Sequence, residues 1–220
     1  MPEHDWQKSD ETAPVVAVEQ RDGARCNLLI RPAKLITAAG EFLCVLRDVS
    51  PGGCKVRLFH PVAAPAHMTL ELGNGDRYAV ERVWERDGHA GFRFEAPIPV
   101  EYVLNEDGPF RKRPVRLRIT RPAVIVAGRD AYPGTLLDLS QQGARVACEA
   151  ALARDQRVRL EIAGVPAIVS TVRWCRSGAT GLVFEQTFKL DELARVVASL
   201  QPPLPSPQDA ENAAFLARYS

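Results

Sequence analysis

The chain has 220 residues and a formal net charge of +1, with 46% apolar and 25% charged residues, an ordinary balance for a soluble globular protein. A charge so close to zero excludes a global basic field as the means of holding an anion, so any such site has to be local. No apolar run approaches the ~20 residues needed to cross a bilayer, and the polar, partly acidic stretch Met1–Asp10 does not fit a secretory signal.

From the N-terminus, residues 1–20 read as a flexible tail. From residue 21 onward, short apolar runs alternate with turn signals every 8 to 12 residues, the pattern of an all-β barrel or sandwich. Gly73-Asn74-Gly75-Asp76 carries the strongest short hairpin signal, Asn-Gly. A short segment over Val100–Asn105 then leads through Gly108-Pro109, so 106–116 is expected to be an inter-domain linker. Further on, strands are expected at Ala123–Ala127, Thr135–Leu139, Ala144–Cys148 and Arg157–Ile162, with a last hairpin, Ala167–Cys175 and Thr180–Glu185, around Ser177-Gly178. Lys189–Leu200 reads as a helix, because Leu190, Leu193, Val197 and Leu200 form one apolar stripe that would cap an open barrel end. Pro202, Pro203, Pro205 and Pro207 end that helix and begin a tail over 201–220.

An internal repeat organises these elements. With a shift of 90 positions, residues 21–95 match 111–185 at 18 of 75 positions without a gap, where chance gives about 5. Arg31-Pro32-Ala33 falls on Arg121-Pro122-Ala123, Asp48, Ser50 and Gly53 fall on Asp138, Ser140 and Gly143, and Trp84 falls on Trp174. Two units of about this length suit two small domains, each with its own core: a first over 21–105 and a second over 117–200 with its helix.

Two segments of the second copy carry chemistry. In Arg111–Arg121, six of eleven residues are basic. Guanidinium groups chelate phosphate oxygens through paired hydrogen bonds, and on a guanine the same fork matches O6 and N7. The same run also reads as a solvated linker or a nucleic-acid backbone contact. The second segment is Asp138-Leu139-Ser140-Gln141-Gln142-Gly143. In a strand, Asp138 and Ser140 would share a face, the carboxylate able to accept two N–H bonds from a guanine edge. Gly143 would permit a positive φ and leave the backbone uncrowded. The alternative is a turn whose Asp and Ser bond their own backbone. Trp174 reads as core.

These residues resemble the PilZ domain family, which binds the bacterial second messenger cyclic di-GMP. The resemblance rests on the order of a basic R-x-x-x-R-type segment, [D/N]-x-S-x-x-G about twenty residues later, and a final hairpin, here Trp174…Gly181-Leu182-Val183-Phe184. It covers about 21–105 and 110–200 and implies two tandem six-stranded barrels, each followed by a short C-terminal helix. It implies a cyclic di-GMP site at Arg111, Lys112, Arg113, Arg116, Asp138, Ser140, Gly143 and Arg145. Lys112 stands where the pattern has its first arginine and keeps the charge but not the fork. In the first copy the matching residues are Arg21, Arg25, Asp48, Ser50 and Gly53, but Cys26 rather than Arg25 aligns with Arg116. That copy is left as a second site, a weaker one, or a structural partner.

The implied protein is a cytoplasmic receptor that changes the angle between its barrels on binding and acts through a downstream protein partner. Motility, chemotaxis and exopolysaccharide output all remain open. Membrane insertion, a cofactor and a metal are not expected. The five cysteines (Cys26, Cys44, Cys54, Cys148, Cys175) show no C-x-x-C spacing and read as small buried hydrophobes. His4, His60, His67 and His89 are scattered and no catalytic motif is present, so an enzyme is not expected. Two rivals stand beside the receptor: a protein-interaction adaptor without nucleotide, and a nucleic-acid module using 111–121.

Overall fold

The computed structural model describes residues 26–62, 67–104 and 114–201. Both tails, and Arg21, Arg25, Arg111, Lys112 and Arg113, lie outside the described residues. The chain forms β1 (Cys26–Thr37), β2 (Gly40–Ser50), β3 (Gly53–Leu58), β4 (His67–Leu72), β5 (Arg77–Arg86), β6 (His89–Phe94) and a one-turn helix α1 (Val100–Leu104). The second half repeats this as β7 (Leu117–Ala127), β8 (Asp130–Leu139), β9 (Gly143–Ala147), β10 (Arg157–Ile162), β11 (Val165–Arg176), β12 (Ala179–Phe184) and α2 (Leu190–Leu200).

Each set of six strands closes into an antiparallel barrel, in the orders β1-β2-β3-β6-β5-β4 and β7-β8-β9-β12-β11-β10. Closure comes from the first strand pairing with the fourth: Leu35 stands opposite Leu70, and Ile125 opposite Leu160. Alternation explains the cores. In β10, Val158, Leu160 and Ile162 are buried while Arg157 and Arg159 are exposed, so one face is packed and the other wet. The Asn74-Gly75 turn joins β4 to β5 with Gly75 at a positive φ, as the sequence leads one to expect.

Two strands begin earlier than the sequence pattern suggests. β7 starts at Leu117 and β8 at Asp130. Arg118 and Thr120, part of the basic run, are the outward positions of a strand whose inward positions are Leu117 and Ile119. Pro133-Gly134 precedes the strand expected from Thr135 but lies within β8. A Cβ on Gly134 would stand 2.4 Å from the Ala147 carbonyl oxygen, so glycine lets the neighbouring backbone pass.

Helix α2 buries Leu193, Ala194, Val197 and Leu200 in the core of the second barrel. Glu192 accepts from the Lys189 backbone N–H at 2.9 Å, closing the first turn. At the other end, Arg121 Nε donates to the Leu200 carbonyl at 2.5 Å, placing a cation on the negative end of the helix. Arg31, its repeat counterpart, donates to the Val103 carbonyl at the end of α1. Beyond the second barrel, α2 also packs on β2 of the first. Among the described residues no helix is long and apolar enough to cross a membrane.

Candidate functional site

β-Bulges determine which side chains face outward. The pairing of β8 with β9 shifts register between Leu136 and Asp138. Leu136 points into the core, and the extra residue turns Asp138 onto the outer face instead of continuing the inward alternation. Asp138 then stands opposite Arg145 on β9 and opposite Arg118 on β7.

The carboxylate of Asp138 is held by two arginines. Arg116 Nη1 donates to Oδ1 at 2.8 Å, and Arg145 Nε lies 2.8 Å from Oδ2. Asp138 is only 5% exposed, whereas the side chains of Arg116 and Arg145 are 54% and 46% exposed. A nearly buried anion therefore orients two cations whose remaining N–H groups face solvent, where they are free to meet phosphate oxygens. Of the residues the sequence points to, Arg116, Asp138 and Arg145 are brought together.

Ser140 and Gly143 have a different part. Ser140 lies just past the end of β8, and both its Oγ and its backbone N–H donate to the Gly143 carbonyl, at 3.0 and 2.9 Å. Its hydroxyl is thus committed to the turn, as in the alternative turn reading. Gly143 is not a positive-φ residue. It is required because a Cβ there would come 2.2 Å from the Leu182 carbonyl oxygen on β12.

The first barrel repeats the frame with different partners for the aspartate. Ser50 Oγ donates to the Gly53 carbonyl at 3.2 Å, and Asp48 stands opposite Lys55, the counterpart of Arg145. Oδ1 of Asp48 is buried without a hydrogen-bond partner among the described residues. Around it lies an open depression of ≈ 830 Å³ whose lining includes Asp48, Lys55, Trp84, Arg86, Gly91 and Arg93.

The tryptophans correct the sequence reading. Register shifts between Arg82 and Trp84 and between Val172 and Trp174 turn both rings out of the core. Trp84 is 36% exposed. Trp174 lies over Gly181, where a Cβ would be 2.2 Å from the ring, and Arg176 sits 5.0 Å from the ring centroid. Arg86 over Trp84 is the same pair in the first barrel. These cation–π platforms were missed from sequence, although Trp-x-Arg recurs in both copies. Replacing Gly181 by alanine, in a Trp6→Phe/Trp84→Phe background, is expected to lift the Trp174 ring and red-shift its emission. Unchanged emission would contradict this placement.

The basic run 111–121 does not form one stripe among the described residues. Arg116 serves Asp138, the Arg118 amide serves the first barrel, and Arg121 caps α2. The described residues include no cluster of three or more His, Cys, Asp or Glu able to hold a metal. Burial pushes the Cys54 thiol up to about 12, helped by the nearby Asp48 charge, and burial also raises Cys44. Both accord with small buried hydrophobes, whereas Cys175 is exposed.

The second unit is a closed six-stranded barrel with a terminal helix and an Asp-x-Ser-x-x-Gly turn beside an arginine. Residues 110–200 match the PilZ domain family. No curated protein matches the chain. Solved structures it is similar to include PlzA of Borreliella burgdorferi in complex with c-di-GMP, at 12% identity, covering 76% of this chain and 86% of that one, TM-score 0.32. Another is the Bacillus subtilis inhibitor of motility MotI/DgrA, at 13% identity, 76% and 92% coverage and TM-score 0.33. A third is YcgR of Escherichia coli in complex with c-di-GMP, at 15% identity, 86% and 88% coverage and TM-score 0.30.

Proposed function

We propose that this chain is a cytoplasmic receptor for cyclic di-GMP, binding on the outer face of the second barrel around Asp138. The observation that carries the reading is the carboxylate of Asp138 bridging Arg116 and Arg145 at 2.8 Å each. A guanine edge presents two N–H donors side by side, much as a guanidinium does. It can replace one arginine on the carboxylate, and that arginine can then turn to a phosphate. The carboxylate then accepts from neutral N–H groups, and the displaced guanidinium pairs with the negative charge that the phosphate brings. The family match over 110–200 supports the same reading.

Arg111, Lys112 and Arg113 would supply further phosphate contacts, and Ser140 with Gly143 would hold the turn. Ordering of 106–116 around the ligand would then alter the arrangement of the two barrels and signal to a protein partner. Asp48, Ser50 and Gly53 of the first barrel, with Arg21 and Arg25, would make up a second candidate site.

Isothermal titration of the purified chain with cyclic di-GMP, beside Arg116→Ala, tests the reading. Arg116→Ala removes one charge-assisted contact and is expected to weaken binding about tenfold or more. Stoichiometry reports whether the first barrel takes ligand. A folded wild-type chain that gives no heat would favour the adaptor instead.

A further inference from the structure

The two barrels meet through charges that one copy of the repeat possesses and the other lacks. Lys34 on β1 is 5% exposed. Its Nζ lies 2.8 Å from Glu41 Oε2, 3.0 Å from Glu71 Oε1 and 3.0 Å from the Arg116 carbonyl oxygen. The ammonium has three N–H donors, and all three have acceptors. Glu41 Oε2 also accepts from the Arg118 backbone N–H at 2.9 Å, and the Glu41 carbonyl accepts from Gln201 Nε2 at 2.6 Å. Glu71 is held further by Arg77 at 2.7 Å. Burial would raise its pKa, but the hydrogen bonds from Lys34 and Arg77 outweigh that and the result is a lowered value.

In the second copy, Val124 and Ala131 stand where Lys34 and Glu41 stand in the first. The barrel fold therefore does not require the pair. What the pair grips is the backbone of Arg116 and Arg118, on either side of the first strand residue Leu117. Arg116 precedes β7 and has no ladder partner of its own. Its main chain is fixed by Lys34 while its side chain reaches Asp138.

We propose that Lys34 and Glu41 are positioning residues for the anion site of the second barrel, so that docking of the first barrel and ligand affinity at the second are linked. This rests on the receptor reading for its ligand, but the clamp itself can be tested without one. By linkage, whatever tightens one equilibrium tightens the other. The first barrel thus acts as part of the second barrel's site without touching the ligand.

The test uses the full chain carrying Lys34→Met/Glu41→Leu, which removes the buried pair together and leaves Glu71 paired with Arg77. Hydrogen exchange at the Arg118 amide is expected to become about tenfold faster or more, with the circular dichroism of the barrels unchanged. Cyclic di-GMP affinity is expected to fall by about tenfold. The single variant Glu41→Gln keeps an acceptor in place, avoids the risk of misfolding, and should retain slow exchange at Arg118. Unchanged exchange at Arg118 in the double variant overturns the clamp. Faster exchange with wild-type affinity overturns the linkage. If the wild type binds no cyclic di-GMP, the receptor reading fails by itself, and exchange at Arg118 still decides for or against the clamp.

Discussion

Asp138→Ala is expected to reduce cyclic di-GMP affinity by about a hundredfold or more, the largest effect of any single change at the site. Two contributions add. The carboxylate orients Arg116 and Arg145 through two charge-assisted contacts at 2.8 Å, and under the proposed reading it also meets the guanine edge. A guanine edge would donate two N–H bonds to the carboxylate, each worth about 1.5–3 kcal/mol, so losing both reaches the hundredfold range. A control separates this from loss of anion attraction. Without Asp138 the two guanidinium groups keep their charge and lose their counter-ion, so inorganic pyrophosphate should bind at least as well as to wild type. Titration with both ligands checks the result. Equal loss for both would mean that Asp138 only maintains the local fold, and an unaffected cyclic di-GMP affinity would remove it from the site.

Gly143→Val is expected to destabilise the second barrel by about 3 kcal/mol or more. Even a single Cβ there would lie 2.2 Å from the Leu182 carbonyl oxygen, a backbone atom in the β9–β12 ladder that cannot swing aside. Overpacking where neighbours can relax costs about 1–3 kcal/mol, and here relaxation requires separating two paired strands. Gly53, with the Phe92 carbonyl oxygen at 2.3 Å, should give a matching loss in the first barrel. Denaturant unfolding of both variants checks this. A midpoint unchanged in both would show that the strands can part at little cost.

Much of the architecture is legible in the sequence because the repeat states it twice. The shared turn glycines and the alternation in Arg157–Ile162 place strands where the barrels have them. The outward faces were harder. Nothing in the residues Asp138 or Trp174 announces the extra residue of a bulge, and one residue reverses every side chain beyond it. By residue type Trp174 belongs in the core, but the bulge turns it outward, while Asp138 and Arg145, opposite one another across β8 and β9, end up on the same outer surface. The interface between the barrels left its trace in the differences between the copies. Glu41-Phe42-Leu43-Cys44-Val45-Leu46 is buried almost continuously, the pattern of a strand covered on both faces. Its counterpart, Ala131-Tyr132-Pro133-Gly134-Thr135-Leu136, is mostly not buried.

That doubly covered β2 strand has a consequence for the nascent chain. Barrel one has all its strands once Phe94 is made, but Leu43 packs into the core of barrel two and α2, which ends at Leu200, lies against β2. At about 5–20 residues per second, the ribosome needs roughly 5–20 s to produce the remainder. For that interval a finished barrel presents a naked apolar face to its neighbours on the same polysome. Lys34 and Glu41 flank this face, and charges at the border of an unavoidable hydrophobic strand discourage self-association.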